Sequence, residues 1–287
     1  MSTETNKIMR ATGLLVIEAI NSNPNGDPDR ESDPRQRPDG LGEISSVSFK
    51  RKLRDLVEDK EGPVWLELRK KLCLEDSDFE ILESRGRDRG KIKKEQLDDH
   101  GKIFKQKYWD GRIFGNTFLE EGAANTIKTG VVQFGMGLSI APIVIERHTN
   151  TTKASVQEGL DRGMAPMAYR IVPHGIYCMP FFVNPSAAHK SGCTTKDIEL
   201  LLALIPHAYA HTRSYIRPNV EILNAWYMEH KSPIGSCSDF KLIDALTPMK
   251  REQPESASSS RKEYDMPATL PSELQAKIAQ LKDLIEF

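Results

Sequence analysis

The sequence predicts an α+β fold: a small sheet covered by helices on one side, with two long polar excursions leaving it. Three observations carry that reading. Residues 13–20 (GLLVIEAI) are a short, branched, nearly continuous apolar run of strand length. Residues 131–140 alternate, with Val132, Phe134, Met136, Leu138 and Ile140 on one face and Gln133, Gly135, Gly137 and Ser139 on the other. Residues 197–213 (DIELLLALIPHAYAHTR) are the strongest helical stretch, opened by Thr194 with Asp197 three residues on, an acidic variant of the capping box.

The elements follow in order. After the first strand, residues 21–43 hold four prolines, three glycines and three asparagines, which no regular element survives. A helix is expected from about Ser45 to Asp59, with Ile44, Val47, Leu53, Leu56 and Val57 on its buried side and Lys50, Arg51, Lys52 and Arg54 crowding its early turns. A second helix, 64–74, follows Pro63. Residues 75–107 are poor in core residues, and 84–107 carries nine Lys/Arg against four Asp/Glu, the texture of a solvent-facing, partly mobile insertion. Core residues return at 108–118. Residues 147–170 are again polar. Residues 171–184 read as a strand with edge character, because Pro173 and Pro180 interrupt its hydrogen bonding. Pro206 should kink the long helix, and 220–228 is another strand. Residues 250–268 have the composition of a mobile linker. A C-terminal amphipathic helix within 269–287 is expected, with Ser272 as N-cap, Gln275 as its partner, and Leu274, Ile278, Leu281 and Ile285 along one side.

Composition narrows the function. With 40 Lys+Arg against 41 Asp+Glu in 287 residues and a net charge of −1, the chain is no uniformly basic nucleic-acid binder, so charge placement has to decide. No run reaches the ~18 apolar residues that cross a bilayer, and the first residues lack a secretory apolar stretch. Four scattered cysteines without a C-x-x-C pair point to a reducing cytoplasm rather than to a zinc ribbon or a disulfide scaffold. Phosphate-cradling glycine motifs and G-x-S-x-G are absent. His207 and His211 have a metal-compatible spacing but lack the glutamate of H-E-x-x-H, so a structural histidine pair is the better reading. Asp27, Asp29, Asp33 and Asp39 could gather a divalent ion, yet Pro28 and Pro34 limit their convergence and aspartate before proline is ordinary turn chemistry. No catalytic residue, metal ligand or cofactor is assigned.

The basic residues point elsewhere. Lys50, Arg51 and Arg54 can share one side of a helix whose start follows a glycine- and asparagine-rich loop, a plausible phosphate track, whereas Lys52 diverges by about 160–200°. Gln133 and Ser139 lie among glycines on the polar strand face, leaving room for a ribose-phosphate chain. Arg147, Lys153, Arg162 and Arg170 punctuate the second excursion. Phosphate contacts from several elements with few base-edge readers suit sequence-independent RNA holding.

At N-S-N-P-N-G-D-P-D (Asn21 to Asp29), F-K-R-K-L-R (Phe49 to Arg54), D-G-R-I-F-G (Asp110 to Gly115), V-V-Q-F (Val131 to Phe134) and V-P-H-G-I-Y (Val172 to Tyr177), the chain resembles a known family. It is similar to the repeated backbone subunit of type I CRISPR surveillance complexes, the Csd/Csh-type branch of the RAMP superfamily. The resemblance spans most of residues 12–245. It implies a modified RNA-recognition-motif (ferredoxin-like) palm over 1–59 and 108–249, a helical insertion at 60–107 and a protruding thumb hairpin at 147–170. It further implies a non-catalytic protein that binds CRISPR RNA, pairs with copies of itself and with other Cascade subunits, and meets target DNA through the guide. On that reading Asn23, Asn25 and Gly26 shape the loop beside the RNA, and Lys50, Arg51 and Arg54 contact phosphates. Gln133 and Ser139 bond sugar or phosphate, and Arg147 and Arg170 flank the thumb. The rival is a metal-dependent endoribonuclease using loop aspartates, as in related type III complexes.

Overall fold

A computed structural model describes residues 7–86, 88–97, 102–115, 129–152 and 165–285. Its strands are β1 (Ala11–Ser22), β2 (Gly26–Asp27), β3 (Asp33–Pro34), β4 (Leu41–Ile44), β5 (Val132–Phe134), β6 (Gly137–Pro142), β7 (Glu146–Thr152), β8 (Ala165–Val183), β9 (Val220–His230), β10 (Met249–Lys250), β11 (Tyr264–Asp265) and β12 (Ile278–Asp283). The helices are α1 (Ser46–Glu58), α2 (Pro63–Leu72), α3 (Arg89–Leu97), α4 (Lys102–Lys107), α5 (Trp109–Phe114), α6 (Ala188–Ser191), α7 (Thr195–Leu204), α8 (Asp239–Leu246) and α9 (Ser272–Gln275).

The main sheet runs β12-β9-β1-β8-β6-β4, with antiparallel pairing throughout. Stripped to β1–α1–β6–β8–α7–β9, the chain order is β-α-β-β-α-β and the four strands lie in the order fourth, first, third, second, which is the ferredoxin-like arrangement. The α+β expectation holds. Ser45 caps α1 by accepting the Ser48 amide, and Thr194 and Asp197 form a complete capping box for α7. At Pro206 the chain does not kink: α7 ends at Leu204 and passes into a 3-10 turn.

Three expectations about the sheet are corrected. First, β8 is a central strand, and its prolines are tolerated because the ladder is broken beside them. Phe134 faces Phe181 and Leu138 faces Cys178, so four steps on the β5–β6 side match three on β8, a bulge that brackets Pro180. Second, that extra residue reverses the inward face, so Gly137, Ser139 and Ala141 are more buried than Met136, Leu138 and Ile140. Third, both faces of the sheet are covered. One packs Leu15, Ile17, Tyr177, Met179 and Phe181 against α1 and α7 residues such as Phe49, Leu53, Leu200 and Leu201. The other packs Leu14, Val16, Ile176, Trp226 and Met228 against Leu242 and Leu246 of α8 and Tyr264 and Leu270 beyond it.

The stretch 250–268 is therefore no mobile linker. It crosses the second sheet face, with Tyr264 and Ser258 buried and β10 paired to β11. Nor do residues 269–287 form a long helix: α9 is a single turn, and β12 pairs with β9 at the sheet edge. The 60–107 segment also has a small core, in which its Leu82, Ile92 and Phe104 are buried together with Tyr108 just beyond it.

Candidate nucleic-acid interface

The loop after β1 is ordered by its own polar groups. Asn25 Oδ1 accepts the Ser45 amide at 2.7 Å, which ties the loop to the start of α1, and Asn23 Nδ2 donates to the Ser32 carbonyl at 2.7 Å. Gly26 pairs with Pro34 in a two-residue ladder; a Cβ there would sit 3.0 Å from the Ser32 carbonyl oxygen. Asp27 and Asp33 of this loop are engaged. Asp27 accepts the Asp29 amide and lies 3.8 Å from Arg35, and Asp33 is ion-paired with Arg170. Among the described residues no group of three potential ligands is placed to hold a metal ion.

Of the predicted phosphate contacts on α1, Arg54 is corrected. Its Nε donates to Asp110 Oδ2 at 2.8 Å, with side-chain exposures of 10% and 1%. Asp110 also accepts the Leu82 and Glu83 amides, so the pair locks α1 to the insertion. The guanidinium also lies 5.2 Å over the Phe114 ring, which leaves it little contact with solvent. Arg51 donates to the Glu83 carbonyl and remains half-buried. Lys50 is half-buried over the Phe114 ring, 5.1 Å from its centroid; burial, then Arg54, holds its ammonium below the usual lysine range. Lys52 does diverge. It is 5% exposed, donates to Thr212 Oγ1 at 2.9 Å and lies 5.0 Å over Tyr209. Burial, reinforced by Arg217 and opposed by Asp55, pushes it down to about 8.

Ser139 is corrected too. Its hydroxyl donates to the Ala141 carbonyl and accepts the Gly42 amide, so its proton is spent on the backbone, and the side chain is buried away from any RNA. Gln133 is exposed, but it faces Phe182 of β8, twelve residues from Arg170, about 40 Å along an extended strand. The predicted residues thus divide. Lys50 and Gln133 fall in the neighbourhood of the Phe114 and Phe134 rings, whose centroids are 6.2 Å apart. Arg147, Arg170 and the asparagine loop gather at one end of the sheet. Lys153 and Arg162 lie outside the described residues.

That end is the better-built one. β8 pairs with β1 through Val172 and then continues past the sheet to pair with β7 from Ile171 to Ala165, so its first turns form a hairpin root. The turn before β9 closes against the loop: the Asn23 amide donates to the Ile216 carbonyl, and Arg217 Nε donates to the Asn23 carbonyl at 2.7 Å. Arg147 and Arg170 face each other across the hairpin, a like-charge pair that Asp33 relieves only on the Arg170 side. Arg217 is held below the usual arginine range by burial. Sequence reading missed Arg217, Tyr215, Tyr169 and His148. The interleaved Arg213-Ser214-Tyr215-Ile216-Arg217 was the available signal for the first two.

One other constellation has the order of a hydrolytic relay. His174 Nε2 lies 3.2 Å from Glu18 Oε1, and its Nδ1 lies 2.7 Å from Ser258 Oγ. But Tyr264 donates to the same Ser258 oxygen at 2.8 Å, and all four side chains are buried. The network pins the C-terminal strap to β1 and β8; a substrate cannot reach it. His207 and His211 meet edge-on at 5.6 Å, and burial lowers His207. No helix among the described residues is long and apolar enough to cross a membrane.

Comparison with known proteins adds to this geometry. A chain of a solved structure described as "CRISPR RNA-guided surveillance complex, pre-nicking" superposes with a TM-score of 0.50 at 15% identity, covering 77% of this chain and 78% of that one. A second, "CRISPR RNA-guided surveillance complex", gives 0.41 at 15% identity over 82% and 75%. The first establishes a shared fold. No curated protein sequence matches. The sequence pattern of the family described as CRISPR-associated protein Cas7 matches residues 9–269. A match over nearly the whole chain, on a fold that agrees, makes this protein a member of the CRISPR-associated protein Cas7 family.

Proposed function

We propose that the protein is a guide-RNA-binding backbone subunit of a CRISPR surveillance complex. Copies of it line up along the guide and, with other Cascade subunits, present its bases for pairing with target DNA. The observation that carries this is the sheet end where the loop after β1, the β7–β8 hairpin root and the turn before β9 meet, with Arg147 on the hairpin and Arg217 on the turn each lacking a salt-bridged carboxylate among the described residues. Cations held this way favour an anionic partner, and contacts from three separate elements suit a backbone track. The hairpin over 147–170 is the thumb and 60–107 the insertion on this reading. The protein is non-catalytic on this reading: of Asp27, Asp29 and Asp33, the loop acids a nuclease would need, Asp27 and Asp33 are engaged by Arg35 and Arg170. Sequence reading is left to base pairing, so the protein need recognise only RNA geometry.

The test is co-expression with a CRISPR array, followed by purification at low salt. Small RNA of fixed length and curved filaments in micrographs are expected, and both are lost when Arg147 and Arg217 are changed to glutamate. Purification of the wild type free of nucleic acid overturns the reading. Cleavage of complementary RNA with magnesium, abolished by Asp33→Ala, favours the nuclease instead.

A further inference from the structure

The hairpin root carries a second kind of surface. His148 faces Tyr169 one residue on from the Arg147–Arg170 pair, and successive residues of a strand point to opposite faces. The arginines therefore occupy one face of the ribbon and the rings the other. His148 and Tyr169 are stacked, with centroids 5.7 Å apart and planes inclined by 22°. Tyr215, from the turn before β9, meets Tyr169 edge-on at 5.5 Å and 70°. Tyr215 is 59% exposed and the His148 side chain 44% exposed. Arg217 stands two residues beyond Tyr215 in a turn closed by a Ser214–Arg217 bridge.

We propose that this His148–Tyr169–Tyr215 tier is a base-stacking platform. A nucleobase of the bound RNA stacks on it, and Arg217 takes the adjoining phosphate; the inference rests on the RNA-binding reading above. Each observation bears on it. Rings drawn from three elements converge at a junction, yet two of them keep much of their surface in water, where a structural aromatic cluster would bury it. Every base has a π-face, so a ring platform tolerates any guide sequence. The platform is also preorganised. Tyr169 lies within β8, and the Tyr215 turn is fixed by the bond from the Asn23 amide to the Ile216 carbonyl, so little ordering remains to be done on binding.

The full chain should be titrated with a single-stranded RNA oligomer and with an abasic ribose-phosphate oligomer of equal length. Tyr215→Leu keeps apolar volume without a π-face and is expected to weaken RNA binding about five- to hundredfold. Tyr215→Phe should stay within about twofold of wild type, and the abasic oligomer should bind all three chains alike. Equal RNA affinity for Tyr215→Leu and wild type overturns the platform, as does an equal loss on both oligomers. If the wild type binds neither oligomer, the RNA-binding reading itself falls and the platform with it.

Discussion

Single side chains on α1 illustrate how far residue type can be read. A Lys-Arg-Lys-x-Arg run looks like one basic track, but its four charges have four different fates. Arg54 is sealed against Asp110, Arg51 is tied to a carbonyl, Lys50 lies over Phe114, and Lys52 is buried toward Tyr209. What decides is the partner across the fold, and Asp110 stands 56 positions away in sequence. Arg54→Ala leaves a buried carboxylate unpaired and should cost about 3–5 kcal/mol in a denaturant melt, whereas Lys50→Ala, with no carboxylate to orphan, should cost under ~1 kcal/mol. Similar losses for the two would refute the assignment of Arg54 as structural. Lys52 supplies a pH test. Its folded value of about 8 lies below the 10.5 of the unfolded chain, so between those values the unfolded state binds more protons. Stability from this group is therefore gained as pH rises through that window, and its burial penalty is fully present below it. The charges and titrating groups that act on it are Arg217 and Asp55, with Tyr209 beneath. Comparing wild type with Lys52→Met cancels the thiols and tyrosines shared by both. The wild type should gain up to about 3 kcal/mol on the variant from pH 8 to 10.5, and parallel pH profiles would contradict it.

At the level of elements, the strands and helices that form the ferredoxin-like core were legible because their signals are local. Strand length, β-branching and the Thr194–Asp197 cap each sit within a few residues. The C-terminal region was not legible, for a physical reason. Leu274, Ile278, Leu281 and Ile285 have helical spacing, but β9 would otherwise present an unpaired edge, and pairing its backbone groups with β12 outweighs a short helix's propensity. The serine-rich strap read as disordered because its few anchors are far apart in sequence: Tyr264 and Leu270 fill the second sheet face while Ser258 binds His174. Tyr264→Ala should lose about 3–5 kcal/mol, as expected for a large buried aromatic, and should make residues 250–268 sensitive to protease. A truly mobile linker would show neither effect. The hairpin gives the converse case. Arg147→Asp replaces a like-charge cross-strand pair with an opposite one, so the melting temperature should hold or rise by a fraction of a kcal/mol equivalent while RNA binding falls. A loss of both together would mean that Arg147 serves the fold.

For the whole molecule, the near-neutral total and the two covered sheet faces constrain where RNA can lie. An open sheet face with stacking aromatics is the usual route for an RNA-recognition motif. Here α8 and the strap close it, and Ser139 on β6 is spent on the backbone. What remains is the end of the sheet, where the cations are few and the aromatics sit beside them. The candidate site was only half legible because its parts lie on segments that look unrelated in sequence: a proline-rich loop, a polar excursion and a turn after a helix. That arrangement makes a quantitative claim about salt. Each phosphate neutralised on a single strand contributes about −0.7 to the slope of log K against log salt concentration. Arg147→Gln and Arg217→Gln should each reduce the slope by roughly that amount, and the double variant by roughly twice it, while the surface-exposed Lys262 on the strap should leave it unchanged when altered to glutamine. The same slope should be found for RNAs of unrelated sequence and equal length, since phosphates carry no letters. A slope that depends on sequence, or that falls equally for the Lys262→Gln control, would place the RNA on a diffuse surface rather than at this end of the sheet.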